Sequence, residues 1–117
     1  MSKTRIILLV TVLGLASFAG TASSDKRHFP VAGVVCDAYF CADAAGVSDR
    51  LTAGYLGERQ ARKLIAHGRF DRTEFTFDNG IFCSVRAREC RRTRYFGADG
   101  QHAGAIDRVA TEWLFRR

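Results

Sequence analysis

The sequence predicts an α+β domain in which a small antiparallel sheet packs against helices drawn from residues 48–67 and 105–115, stapled by two disulfides. Three observations lead there. Four cysteines, Cys36, Cys41, Cys83 and Cys90, all follow an amino-terminal leader, and an even count in a small exported domain implies two bridges. Strand-like alternation and helix-like spacing both occur in the same short chain. The 117 residues are 47% hydrophobic and 26% charged with one proline, which fits a single globular domain and excludes a disordered tail or a collagen-like fibre.

The elements follow in chain order. Lys3 and Arg5 precede an apolar run over residues 6–16, and small residues then accumulate in Ala19-Gly20-Thr21-Ala22. This is the grammar of a secretory signal peptide, residues 1–22, cleaved after Ala22 to leave residues 23–117 as one domain. The run is shorter than the roughly 20 residues needed to span a bilayer, so no transmembrane segment is expected in the mature chain. Residues 29–35 are apolar and β-branched and suit a first strand that ends at Cys36, with Pro30 at its edge. Residues 42–46 read as a loop. Ser48 caps a helix carrying Leu51, Tyr55 and Leu56 on one side, Gly57 interrupts it, and Glu58 opens a second helical stretch. Ala61, Leu64 and Ile65 share the face of that stretch, and Gly68 stops it after His67.

Thr73, Phe75 and Phe77 alternate with Glu74, Thr76 and Asp78, the period of a half-buried strand. Asp78-Asn79-Gly80 is then a hairpin turn. The return strand puts Ile81, Cys83 and Val85 on one face with Phe82 on the other, residues 86–89 turn the chain, and residues 92–96 read as a further strand. Ile106, Val109, Ala110, Trp113 and Leu114 fall at helical spacing, with Asp107 to start the helix. Phe70, Phe75, Phe77, Phe82, Tyr95, Phe96, Trp113 and Phe115 are assigned to the core, because a domain of this size needs most of its aromatics inside.

Three cysteine pairings are possible. In the chain-entropy model, bridges closing long loops stabilise more than local ones, so energetics does not select the local pairs. A degenerate repeat points the other way. Gly33-Val34-Val35-Cys36 resembles Gly80-Ile81-Phe82-Cys83, and Asp49-Arg50-Leu51 with Tyr55-Leu56 resembles Asp107-Arg108-Val109 with Trp113-Leu114. Each half then holds its own pair, Cys36 with Cys41 and Cys83 with Cys90. The spacings C-x4-C and C-x6-C depart from zinc-knuckle spacing, so neither a metal nor any cofactor is expected.

Gly80-Ile81-Phe82-Cys83, Cys90, Tyr95-Phe96-Gly97-Ala98-Asp99-Gly100 and Thr111-Glu112-Trp113-Leu114-Phe115, with the earlier pieces Gly33-Val34-Val35-Cys36-Asp37, Cys41-Ala42-Asp43, Gly46-Val47-Ser48 and Tyr55-Leu56-Gly57, make up a motif set. Together they resemble the YcgJ-like (Fels prophage protein-like) exported proteins of enterobacteria. The resemblance covers nearly all of the chain after the leader. It implies a small periplasmic protein with paired cysteines and supplies no catalytic residues.

Candidate chemistry is sparse. The formal charge is +6, and the densest basic feature is Arg86, Arg88, Arg91, Arg92 and Arg94 beside Tyr95. Guanidinium groups grip phosphates bidentately and a phenol offers a stacking face, so these six residues are the anion-binding candidates. The bland alternative is a solvated surface that keeps the protein soluble. The partner expected is an anionic envelope component or another periplasmic protein. An enzyme would have to be assembled from His28, His67, His102 and Glu74, with an arginine to hold charge, as a ribonuclease-like phosphodiesterase. Their spacing gives that alternative no support. Nucleophile motifs and phosphate-binding glycine loops are missing from the sequence, so the role read here is noncatalytic binding.

Overall fold

The computed structural model describes residues 28–116. The signal-peptide expectation lies outside those residues. Two three-stranded antiparallel sheets and three helices make up the fold, where the sequence suggested a single sheet. The first sheet holds β1 (Val35–Cys36), β2 (Cys41–Asp43) and β3 (Gly46–Ser48) as a meander, and the second holds β4 (Glu74–Thr76), β5 (Phe82–Ser84) and β6 (Glu89–Arg91).

Both disulfides are local. Cys36 pairs with Cys41 and Cys83 with Cys90. In each case the two cysteines face each other directly across adjacent antiparallel strands, Cys36 opposite Cys41 on β1 and β2, Cys83 opposite Cys90 on β5 and β6. Each bridge therefore fixes the register of its hairpin, and a slip by one residue would turn the hairpin inside out.

The two sheets lead into helices in the same way. Ser48 ends β3 and caps α1 (Asp49–Leu56), its hydroxyl accepting from the Leu51 N–H at 3.0 Å. Asp107 caps α3 (Arg108–Phe115), accepting from Ala110 N–H at 3.0 Å. Four residues beyond each cap stands a threonine whose hydroxyl accepts the backbone N–H of the second cysteine in its half. Thr52 accepts from Cys41 at 2.9 Å and Thr111 from Cys90 at 2.8 Å. The correspondence thus runs Ser48 to Asp107 and Thr52 to Thr111, one residue out of step with the sequence match of Asp49 to Asp107. Flanking segments agree as well: His28 bridges to Cys36 on the outer side of β1, as β4 pairs with β5, and Ile106 bridges to Arg91 beside β6, as β3 pairs with β2. Between β6 and Ile106 the second half inserts residues 92–105, where the first half makes a two-residue turn at Ala44-Ala45.

Four local expectations need correction. Residues 29–35 are not one strand: the Val34 N–H bonds the Val31 carbonyl, Gly33 takes φ +87°, and the chain doubles back so that His28 lies beside Cys36. Residues 42–46 are not a loop but contribute to β2 and β3, held by Ala42 paired with Val47 and by Asp43 accepting the Ala45 N–H. The strand expected at 92–96 sits three residues earlier, because the disulfide fixes Cys90 in β6; Arg92 N–H turns to the Ala105 carbonyl. Ile65 on α2 (Glu58–Ala66) is 52% exposed, and Ala61 and Leu64 alone form its buried face.

One core joins the halves. Val35, Ala42, Val47 and Leu64 meet Phe75, Phe77, Ile81, Ala110, Leu114 and Phe115 there. Phe40, from the turn between β1 and β2, stacks on Phe77 at 5.1 Å and meets Phe75 edge-on at 5.9 Å. Phe70, Tyr95, Phe96 and Trp113, assigned to the core from sequence, are instead exposed by 37% or more. Asp37 is the polar link. Its buried carboxylate accepts N–H groups from Tyr39 at 2.7 Å and Phe40 at 3.0 Å in its own turn and from Asp78 at 2.7 Å in the turn between β4 and β5.

Candidate anion-binding site

The six anion-binding candidates do not form one patch. Arg88 stands in the turn between β5 and β6 with φ +54°, the positive φ of a non-glycine residue; it donates to the Phe115 carbonyl and lies over the Phe115 ring at 5.4 Å. It secures the end of α3. Arg91 donates from Nε to Glu89 at 2.6 Å and from Nη1 to the Gly104 carbonyl at 2.8 Å, tying β6 to the inserted segment. Arg86 is exposed in the turn and faces Asp71, whose carboxyl lies below its ordinary value; bonds from the Thr73 hydroxyl and N–H are the main cause, with a smaller pull from Arg86.

The other three candidates come together. Arg92, Arg94 and Tyr95 line a cavity of about 290 Å³ with Thr76, Gly80 and Thr93. Arg92 is 68% exposed, and its Nε lies 3.9 Å from the Asp107 carboxylate. Arg94 holds its guanidinium 5.3 Å from the centre of the Tyr95 ring. The turn at residues 78–80 contributes Gly80 to the lining: Phe77 and Ile81 close the turn, and Gly80 takes φ +92°, a position that favours glycine in a three-residue hairpin loop. Two guanidinium groups, two threonine hydroxyls and a phenol can donate to an oxyanion.

Thr76, Gly80 and Thr93 were missed by the sequence reading. The Asp78-Asn79-Gly80 turn was visible, but its meeting with residues 92–95 depends on pairing across the sheet. The inserted segment is held by Phe96 bridging to His102, by Ala103 N–H to the Tyr95 carbonyl, and by His102 lying 5.2 Å from Phe82 and 4.5 Å from Phe96. His28 pairs beside β1, His67 ends α2, Glu74 is exposed on β4, and His102 is enclosed by rings. The groups considered for catalysis thus stand on four separate elements. Among the described residues no group of three or more His, Cys, Asp or Glu could hold a metal ion, and no helix is long and apolar enough to cross a membrane.

A family profile described as YcgJ protein matches residues 28–115. A curated relative from Escherichia coli (strain K12), described as "Uncharacterized protein YcgJ", is 48% identical over 100 residues, which are 86% of this chain and 82% of the relative. No solved structure matches. The profile spans both cysteine hairpins, both threonine clamps and the insertion that carries the arginine cavity, and on that match the chain belongs to the YcgJ family.

Proposed function

We propose that the protein is a noncatalytic binder in the periplasm that grips a phosphate-bearing envelope component through Arg92, Arg94 and Tyr95. The observation that carries this reading is the cavity at which two guanidinium groups and an exposed phenol converge while neighbouring Arg88 and Arg91 are engaged in holding the fold. Its two disulfides suit an oxidising compartment.

Phosphatidylglycerol vesicles, with phosphatidylcholine vesicles as the neutral control, test it across a salt series. Binding to the anionic vesicles should weaken steeply as salt rises, since screening shortens the reach of each charge. A basic side chain near an anionic surface contributes about 1 kcal/mol, so Arg92→Gln with Arg94→Gln should weaken binding about thirtyfold. Arg86→Gln should matter far less. Equal, salt-insensitive binding by wild type and double variant would reject the cavity as the site.

A further inference from the structure

A second cleft lies apart from the arginine cavity and shares no lining residue with it. Its volume is about 920 Å³, within the range of small-ligand sites. One wall is formed by Val109, Glu112 and Trp113 of α3 with Arg116 just past its end; the other is small, with Gly33 on one side and Ala44 of the β2 to β3 turn on the other.

Trp113 sets the character of this cleft. Its indole N–H donates to two carbonyls, Val31 at 3.0 Å and Val34 at 2.9 Å, and Phe29 meets the ring edge-on at 5.3 Å. The ring is therefore fixed and its polar atom is occupied, yet 37% of the residue remains exposed, beside Val109 at 60%. A rigid aromatic surface left open is ready to receive a ligand without an ordering cost. The charges around it are unlike those of the rest of the chain. Asp43 and Glu112 both line the cleft, Asp43 with one carboxylate oxygen on the Ala45 N–H and Glu112 only loosely paired with Arg116 at 3.5 Å. Two carboxylates against one guanidinium, in a protein of formal charge +6, make this cleft locally acidic.

We propose that the cleft binds an alkylammonium ligand, with the aliphatic body on Trp113 and Val109 and the ammonium toward Asp43 and Glu112. The indole face and Val109 take the aliphatic chain, the carboxylates pair with the ammonium, and the small residues opposite leave room for the chain.

Trp113 is the one tryptophan of the chain, so its fluorescence reports this cleft alone. The full mature protein is titrated with n-hexylammonium, n-hexanol and hexanoate at equal ionic strength. Hexylammonium should change the emission saturably, hexanol should bind about tenfold more weakly, and hexanoate should not bind detectably. Asp43→Asn with Glu112→Gln should bring hexylammonium down to the hexanol level while circular dichroism and urea unfolding stay as in wild type. Arg116→Gln should tighten hexylammonium binding, because it releases Glu112 from its competing partner. Equal binding of hexylammonium and hexanoate, no saturable change with hexylammonium, or unchanged affinity in the Asp43 and Glu112 variant would each overturn the proposal. The arginine variants Arg92→Gln and Arg94→Gln should leave this titration unmoved.

Discussion

Replacing Thr52 by valine tests the clamp that ties each helix to its cysteine hairpin. Thr52 is fully buried, and its hydroxyl both accepts the Cys41 N–H at 2.9 Å and donates to the Ser48 carbonyl at 2.7 Å. Valine keeps the volume and the branching, so no cavity opens. What changes is the fate of the Cys41 N–H, which is left in a site with no access to water. An unsatisfied buried donor costs about 1–3 kcal/mol, and the loss of the second bond adds to it, so Thr52→Val should destabilise by about 2 kcal/mol or more. For a domain of this size that lowers Tm by roughly 10 °C. Urea unfolding of the oxidised protein measures it, with Thr52→Ser as the control that keeps the hydroxyl and removes only a methyl group. Thr111→Val strands the N–H of Cys90, which is fully buried like Cys41, and should cost a similar amount. Stability of Thr52→Val within 0.5 kcal/mol of wild type, on the order of ordinary surface substitutions, would refute the clamp.

Removing the Cys83–Cys90 bridge by paired alanine substitution should cost about 2.5 kcal/mol and removing Cys36–Cys41 about 2.2 kcal/mol, from loops of this length in the chain-entropy model; urea unfolding of each variant checks both. Gly46→Ala should destabilise by more than about 3 kcal/mol, read by the same assay, because Gly46 takes φ +119° and a Cβ there would meet the Arg72 carbonyl oxygen at 2.1 Å. Burial, the largest influence, pushes the Asp37 carboxyl above its ordinary value despite three N–H bonds, and Asp78 adds to the rise. The contribution of Asp37 is therefore fully present below its unfolded value and is lost as pH rises through the raised folded value, so wild type should lose stability relative to Asp37→Asn across that acid window, as a pH series of unfolding curves will show.

How far the fold was legible depended on whether the signal was local. The alternation over residues 73–78, the Asp78-Asn79-Gly80 turn and the caps Ser48 and Asp107 are short-range features, and each stands where the sequence put it. The strands at 41–43 and 46–48 were hidden by alanine and glycine, whose own preference for strand is weak. What makes them strands is the disulfide partner opposite and the Arg72 carbonyl that accepts the Val47 N–H. The aromatic core was misread in the same way. Composition says that most aromatics belong inside, but Phe40, in the turn between β1 and β2, is the ring that stacks on Phe77, while Tyr95 and Phe96 ride on the insertion and stay exposed. At the candidate site the arginines were visible and their engagements were not, since the acceptors of Arg88 and Arg91 are the carbonyls of Phe115 and Gly104, well along the chain.

The duplicated plan also explains where ligand-sized spaces arise. A strand meander, a disulfide and a threonine-clamped helix consume the polar backbone of each half, leaving little for recognition where the halves agree. Both cavities lie where they disagree. Residues 92–105 replace the two-residue turn at Ala44-Ala45, and that added length brings Arg92, Arg94 and Tyr95 to the turn at residues 78–80. On the helices, Trp113 lies six residues beyond its cap Asp107, and the residue six beyond the cap Ser48 is Gly54. The first half has no ring at that place, and α1 packs against α2; the second half has a locked indole on an open cleft. Grafting follows from this asymmetry. Deleting residues 93–104 and closing the gap with a two-residue turn should abolish binding to anionic vesicles while the Thr111 clamp and the Cys83–Cys90 bridge survive, since both are anchored outside the deleted segment. Retained, salt-sensitive vesicle binding in that folded variant would place the anion site outside the insertion and sink the link between divergence and recognition.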